Sequence, residues 1–153
     1  MKTIEYRSAD KQEWGPGPWQ DEPDKKQWAD ETTGLPCLIV RNTAVTGALC
    51  GYVGVARGHP AYEKACDDVP VAVHGGLTYS DRCTPEADPS RHICHVVEPG
   101  EDDDVWWLGF DCAHAFDISP KMRRHAGEVY RDWAYVEREV LSLAEQLAAM
   151  VSA

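Results

Sequence analysis

Val129, Tyr130, Trp133, Val136, Val140, Leu143, Leu147 and Val151 recur at helical spacing near the end of the chain, with Arg131, Asp132, Glu137, Arg138 and Glu145 mostly between them. This puts an apolar stripe on one side of a cylinder and charge on the other, which predicts a long amphipathic helix over residues 128–151. Gly127 marks an interruption before it, and Pro120 behind Ser119 opens a preceding turn. A helix with such a stripe must bury it, and the upstream apolar runs that can receive it have strand character.

Residues 35–41 and 49–56 are β-rich and are separated by Asn, Thr and Gly, which predicts an antiparallel hairpin. Pro60 near the start of 59–66 predicts a short helix, after which 69–73 returns to the sheet as extended chain. Residues 81–92 read as a polar loop and 92–97 as a short strand. Residues 105–112 form a further strand, apolar enough over 105–110 to be buried on both faces near the sheet centre. The acidic run Glu101, Asp102, Asp103, Asp104 reads as a solvated turn.

Residues 8–34 set Trp14, Trp19 and Trp28 among Pro, Gly and acidic residues, a pattern that suits neither helix nor strand. They predict an irregular arm that wraps on the domain with its indoles as anchors, the alternative being a stacking platform for a base or sugar. The expected fold is α+β: a mostly antiparallel sheet packed against the C-terminal helix, in one domain over 1–153. A length of 153 residues with 43% hydrophobic content suits a single core.

Fifteen Lys and Arg against 26 Asp and Glu leave a net charge of −11, which opposes general binding to nucleic acid. A small anionic ligand still fits a local pocket of amide donors and one or two Arg. No apolar run has the length of a signal peptide or a membrane span, so a soluble, cytoplasmic protein is expected. The six cysteines, at 37, 50, 66, 83, 94 and 112, contain no Cys-x-x-Cys pair and are expected to be mainly reduced. Cys83 and Cys94 are the pair to watch, because they bracket the charged, Pro-containing loop. The helix stripe serves a sheet face or a homo-oligomer interface equally well.

Two segments carry polar groups that folding alone does not ask for. In His74-Gly75-Gly76-Leu77-Thr78-Tyr79-Ser80-Asp81, the glycines let backbone approach a ligand and aim N–H groups at an anion, with the His74 imidazole beside them. Thr78, Tyr79 and Ser80 add hydroxyls. In Asp111-Cys112-Ala113-His114-Ala115-Phe116-Asp117, the Asp-x-x-His-x-x-Asp spacing at a strand end can surround a cation or orient His114 through a carboxylate. The ligand-binding candidates are His74, Gly75, Gly76, Thr78, Tyr79, Asp111, His114 and Arg124. Arg124 belongs to the basic cluster Lys121, Arg123, Arg124, His125.

Zinc on His74, Asp111 and His114 is one reading, and a thiolate site drawn from Cys83, His92, Cys94, His95 and Cys112 is another. A nucleophilic enzyme would use Cys112 or Ser80, with His74 or His114 as base and Asp111 orienting it. The competing structural reading makes Gly75 and Gly76 a bend, Asp111 a turn cap and Cys112 a buried small residue.

The run Gly15-Pro16-Gly17-Pro18-Trp19-Gln20-Asp21-Glu22-Pro23-Asp24-Lys25, the His74 to Tyr79 element and Trp106-Trp107-Leu108-Gly109-Phe110-Asp111-Cys112-Ala113-His114 together resemble a family of small uncharacterised tailed-bacteriophage and prophage proteins. The likeness spans residues 14–148 and carries no catalytic assignment. The chain departs from the family at Phe116, where members carry Gly, so the turn after His114 is not expected to be obligatorily tight. The resemblance implies an accessory protein of the infected cell that counters host defence or redirects metabolism. Three functions compete: capture of a small nucleotide-like ligand, a metal-assisted or Cys/His hydrolase in the same pocket, and an acidic protein that blocks a host protein.

Overall fold

A computed structural model describes residues 1–152. Six strands, β1 (Ile4–Tyr6), β2 (Lys25–Ala29), β3 (Pro36–Arg41), β4 (Leu49–Ala56), β5 (Tyr79–Asp81) and β6 (Val105–Asp111), form one sheet. Their order is β1-β2-β3-β4-β6-β5, and every neighbouring pair is antiparallel. One helix, α1 (Trp133–Ser152), covers one face, so the α+β architecture with a C-terminal helix on an antiparallel sheet holds. No helix among the described residues is long and apolar enough to cross a membrane.

Alternation along the strands makes two cores. Trp28, Cys37, Ile39, Leu49, Val53, Leu108 and Phe110 face α1, where Val136, Val140, Leu143 and Leu147 are fully buried at the spacing the sequence shows. The helix approaches β4 at Gly51, where a Cβ would lie 2.5 Å from Val140 and 2.6 Å from Phe110. Leu38, Val40, Tyr52, Val105 and Trp107 face the other way. Residues 82–97 lie over that second core as irregular chain closed by a Cys83–Cys94 disulfide, while Cys37, Cys50, Cys66 and Cys112 stay free.

Several expected elements differ. The helix starts at Trp133 rather than 128, because Val129 is held in extended chain beside residues 116–118. Asp132 supplies the cap instead, its carboxylate accepting the Tyr135 N–H at 2.9 Å. Residues 59–66 form turns, not a helix: His59 Nδ1 accepts the Ala61 N–H, and Glu63 sits at φ 61°. Residues 69–73 do not rejoin the sheet; Ala72 pairs with Gln146 of α1 through both its N–H and its carbonyl. The 92–97 strand is reduced to one bridge between Thr84 and Ile93.

The arm over 8–34 is less irregular than its composition suggests, since it contributes β2 and two 3-10 turns, Gln12–Trp14 and Pro18–Asp21. Its indoles do anchor it: Trp19 and Trp28 are buried and Trp14 is half-buried.

Candidate functional site

The His-Gly-Gly element is a turn. Gly76 N–H donates to the Val73 carbonyl at 2.9 Å, and Gly75 occupies the left-handed region at φ 68°. A Cβ on Gly75 would also fall 2.3 Å from His114 Nε2, so glycine is required there by conformation and by space. This close approach brings the two polar segments together.

His74 is held at both ends. Its Nε2 lies 2.7 Å from Asp117 Oδ2 and its Nδ1 2.7 Å from the Tyr135 hydroxyl. Asp117, 3% exposed, also accepts Arg131 Nε–H at 2.9 Å and the His114 backbone N–H at 3.1 Å. Burial pushes the Asp117 carboxyl up, but the hydrogen bonds from His74, Arg131 and the His114 amide outweigh it and hold the group below its ordinary value. Burial raises the Tyr135 phenol, with the Glu139 charge adding to it, so the hydroxyl remains a donor at neutral pH. A carboxylate at Nε2 can only accept, so His74 donates its Nε2 proton to Asp117. The chain Tyr135, His74, Asp117, Arg131 therefore clasps the 73–76 turn, the 112–117 loop and the start of α1.

Beside it, Asp111 accepts the Thr78 hydroxyl and the Ala113 N–H, both at 3.0 Å, and its Oδ1 lies 3.3 Å from His114 Nε2. That nitrogen is buried under Gly75 without a hydrogen bond. The structure thus gathers His74, Gly75, Thr78, Asp111 and His114 at one corner, with Gly76 facing open space and its N–H committed to Val73. Tyr79 points elsewhere, its hydroxyl donating to the Arg82 carbonyl and its ring meeting Tyr52 edge-on. Arg124 is a tether of the arm: Nη2 donates to the Trp14 carbonyl at 2.6 Å and the guanidinium lies 4.6 Å from the Trp19 ring centroid.

The corner is poorly equipped for the chemistry its residue types suggest. Both His74 nitrogens are engaged, and among the described residues no three His, Cys, Asp or Glu side chains converge to hold a metal ion. The zinc set His74, Asp111, His114 is therefore not assembled, and the thiolate set has lost Cys83 and Cys94 to their disulfide. Cys112 belongs to the core facing α1, where burial and then the Asp117 charge push its thiol far from ionising at neutral pH. Ser80 makes no hydrogen bond to either histidine.

Asp117→Asn tests the clasp. An amide offers one acceptor and one donor, so either His74 or Arg131 would face an NH2 group, at a cost of about 1–3 kcal/mol in chemical unfolding. The folded carboxyl titrates below the ordinary 3.8. Its stabilisation is thus present above that pH and lost as pH falls through the folded value, so the variant should show a shallower acid limb.

A second locus was not read from the sequence. On the face opposite α1, a cleft of about 210 Å³ opens between residues 86–93 and the strands β3 and β4, floored by Val40, Cys50 and Tyr52 and rimmed by Asn42, Glu86 and Arg91. Arg91 and Thr43 also line an adjoining cleft of about 270 Å³ that runs to Trp14 and Lys121. Burial pushes the Cys50 thiol up to about 12 and raises the Tyr52 phenol well above its usual value, so the floor is uncharged. Asp88 is held by the Ser90 N–H and hydroxyl at 2.9 and 2.7 Å, and Arg91 makes no ion pair among the described residues. Tyr52 carried no signal because it lies in an apolar strand, and Arg91 none because it is one charge in a polar loop.

No family model, curated protein or solved structure matches the chain.

Proposed function

We propose that the protein captures a small, anion-bearing, nucleotide-like molecule in the groove beneath residues 86–93. The observation that carries this reading is Arg91: a cation with no ion pair among the described residues, at the junction of two clefts that together reach the usual size of a ligand site, roughly 300–1,000 Å³. An uncharged floor with a phenol and a thiol beside a guanidinium suits a planar group next to an anion. Trp14 and Lys121 line the second cleft together with the carboxylates of Asp10 and Asp88, so the anion is placed at the Arg91 end. The groove replaces the His74 corner as the place of capture, because that corner's hydrogen-bonding groups are largely spent on one another. The phage resemblance supplies the setting of the proposal: sequestration of a host molecule in the bacterial cytoplasm, in the manner of a counter-defence protein.

Thermal unfolding with adenosine monophosphate, and separately with inorganic phosphate, tests it. A ligand that binds only the folded state raises the midpoint by mass action. The wild type should gain a few degrees with the nucleotide, and Arg91→Ala should lose that gain while its ligand-free midpoint stays within about a degree, since an exposed side chain contributes little to stability. An equal rise in both proteins, or none in the wild type with either probe, rejects the groove.

A further inference from the structure

Phe116 is the least economical residue in the fold. It is the third residue of a tight turn closed by Asp117 N–H on the His114 carbonyl at 3.0 Å, and its own carbonyl accepts the Val129 N–H at 2.8 Å. Those two bonds hold it at φ 72°, a conformation that strains any residue with a Cβ and that glycine adopts freely. The absence of glycine has not loosened the turn. The ring is 72% exposed, so the strain is not offset by burial within the chain. Strain held at an exposed aromatic points outward, to a contact made with another molecule.

The surroundings state what that contact needs. Val129 and Met122 are 49% and 54% exposed nearby in the same segment, and the side chains of Arg123 and His125 project into solvent. This is an apolar and basic end on a chain whose net charge is −11. The segment leading into the opposite end of β6 has the complementary character, with Val96 and Val97 45% and 36% exposed, followed by exposed Glu98, Asp102 and Asp103. One segment precedes β6 and the other follows it; Val96 is fixed over β2 by Gln27, which bonds both its N–H and its carbonyl, and both patches are left exposed. They do not cover one another within one molecule. A second copy can bring its acidic, valine-bearing end to the Phe116 end of the first.

We propose that the protein associates head to tail, Phe116, Met122 and Val129 of one copy packing on Val96 and Val97 of the next, with Arg123 and His125 facing Glu98 and Asp103. The two surfaces differ, so each copy added leaves one free end of each kind, and growth continues past a dimer unless a ring closes. An aromatic anchor with a charged rim is the usual arrangement of an energetic contact, and the rim makes it weaken with salt. The inference is independent of the ligand groove.

Sedimentation velocity across concentration and salt tests it. The wild type should exceed dimer mass as concentration rises and return toward monomer in high salt. Phe116→Gly should unfold at a higher temperature than the wild type yet associate about tenfold more weakly, a combination that damage to the fold cannot produce. Arg123→Glu and Asp103→Lys should each weaken association alone and recover it when mixed, since the mixture offers one native junction and one with the charges exchanged. A wild type that stays monomeric throughout overturns the assignment to a second copy and leaves the Phe116 end to a foreign acidic protein. Unchanged association in Phe116→Gly, or no recovery in the mixture, overturns the interface.

Discussion

Arg41→Ala should lose about 3–5 kcal/mol in chemical unfolding, a large fraction of the 5–15 kcal/mol that an ordinary domain commands. Arg41 is 1% exposed, and all five of its N–H donors are used. Nε donates to Asp24 at 3.0 Å, Nη1 to the Gly47 carbonyl and the Tyr130 hydroxyl at 3.0 and 3.1 Å, and Nη2 to Glu22 and the Pro23 carbonyl at 3.1 and 3.0 Å. Lys11 reaches the same Asp24 oxygen, Oδ1, at 2.7 Å, so two cations balance two carboxylates largely out of water.

Removing Arg41 leaves Glu22, its side chain only 10% exposed, without a cation. Glu22 also accepts the Tyr130 hydroxyl and, at 2.8 Å, the Trp133 N–H that opens α1. The damage should therefore spread to the arm and the helix start, seen as faster amide exchange at Trp133 and at Ala9, whose N–H rests on Asp24. Arg41→Lys keeps the charge but has three donors on a point, cannot bridge both carboxylates, and should fall between the two. A loss below about 1 kcal/mol for Arg41→Ala would mean that the network behaves like surface ion pairs.

Arg41 also shows why parts of the fold were legible in the sequence and parts were not. The β3, β4 and β6 strands and the body of α1 are apolar where they are buried, and periodicity reveals such elements directly. In β2, Lys25 and Gln27 are buried polar residues on one face, satisfied by carbonyls and an amide from a loop some 65 residues later, so the strand reads as solvent-facing. Residues 69–73 mislead in the opposite sense: their apolar side chains pack on the α1 core from outside the sheet.

At the candidate corner the residue types were visible and the pairings were not. Asp-x-x-His-x-x-Asp suggested a carboxylate beside His114, and Asp111 lies there, but Asp117 serves His74. The other two members of the clasp, Arg131 and Tyr135, look from their spacing like ordinary residues of an amphipathic segment. Tertiary placement chose the partners, and no local pattern encodes it. The Cys83–Cys94 bond was visible as a bracket because a covalent loop closure lies close in sequence.

Lys25→Met should lose on the order of 2–4 kcal/mol and the groove with it. Lys25 is 1% exposed on the face opposite α1, and its ammonium donates to the carbonyls of Pro89, His92 and Cys94, each at 2.8 Å. Methionine fills similar space but strands those acceptors, at about 1 kcal/mol or more apiece, and frees the loop that carries Arg91. Nucleotide-induced stabilisation should then vanish together with the stability.

The pH dependence separates this role from simple packing. Burial, opposed only in part by the charge of Asp88, pushes the Lys25 ammonium down to about 8 from an ordinary 10.5. Below pH 8 both the folded and unfolded chains hold the proton, and the folded state bears the full cost of a desolvated cation. Between pH 8 and 10.5 the unfolded chain binds more protons than the folded one, so this group makes stability rise with pH. Tyr52 and Tyr130, whose phenols are raised by burial, act in the opposite sense above about pH 10, but Lys25→Met retains both. The wild type's advantage over Lys25→Met should accordingly widen from pH 8 toward 10.5 in matched urea titrations. An advantage that stays flat would mean that the ammonium keeps its ordinary proton affinity on folding, and so is not desolvated beside its three carbonyls.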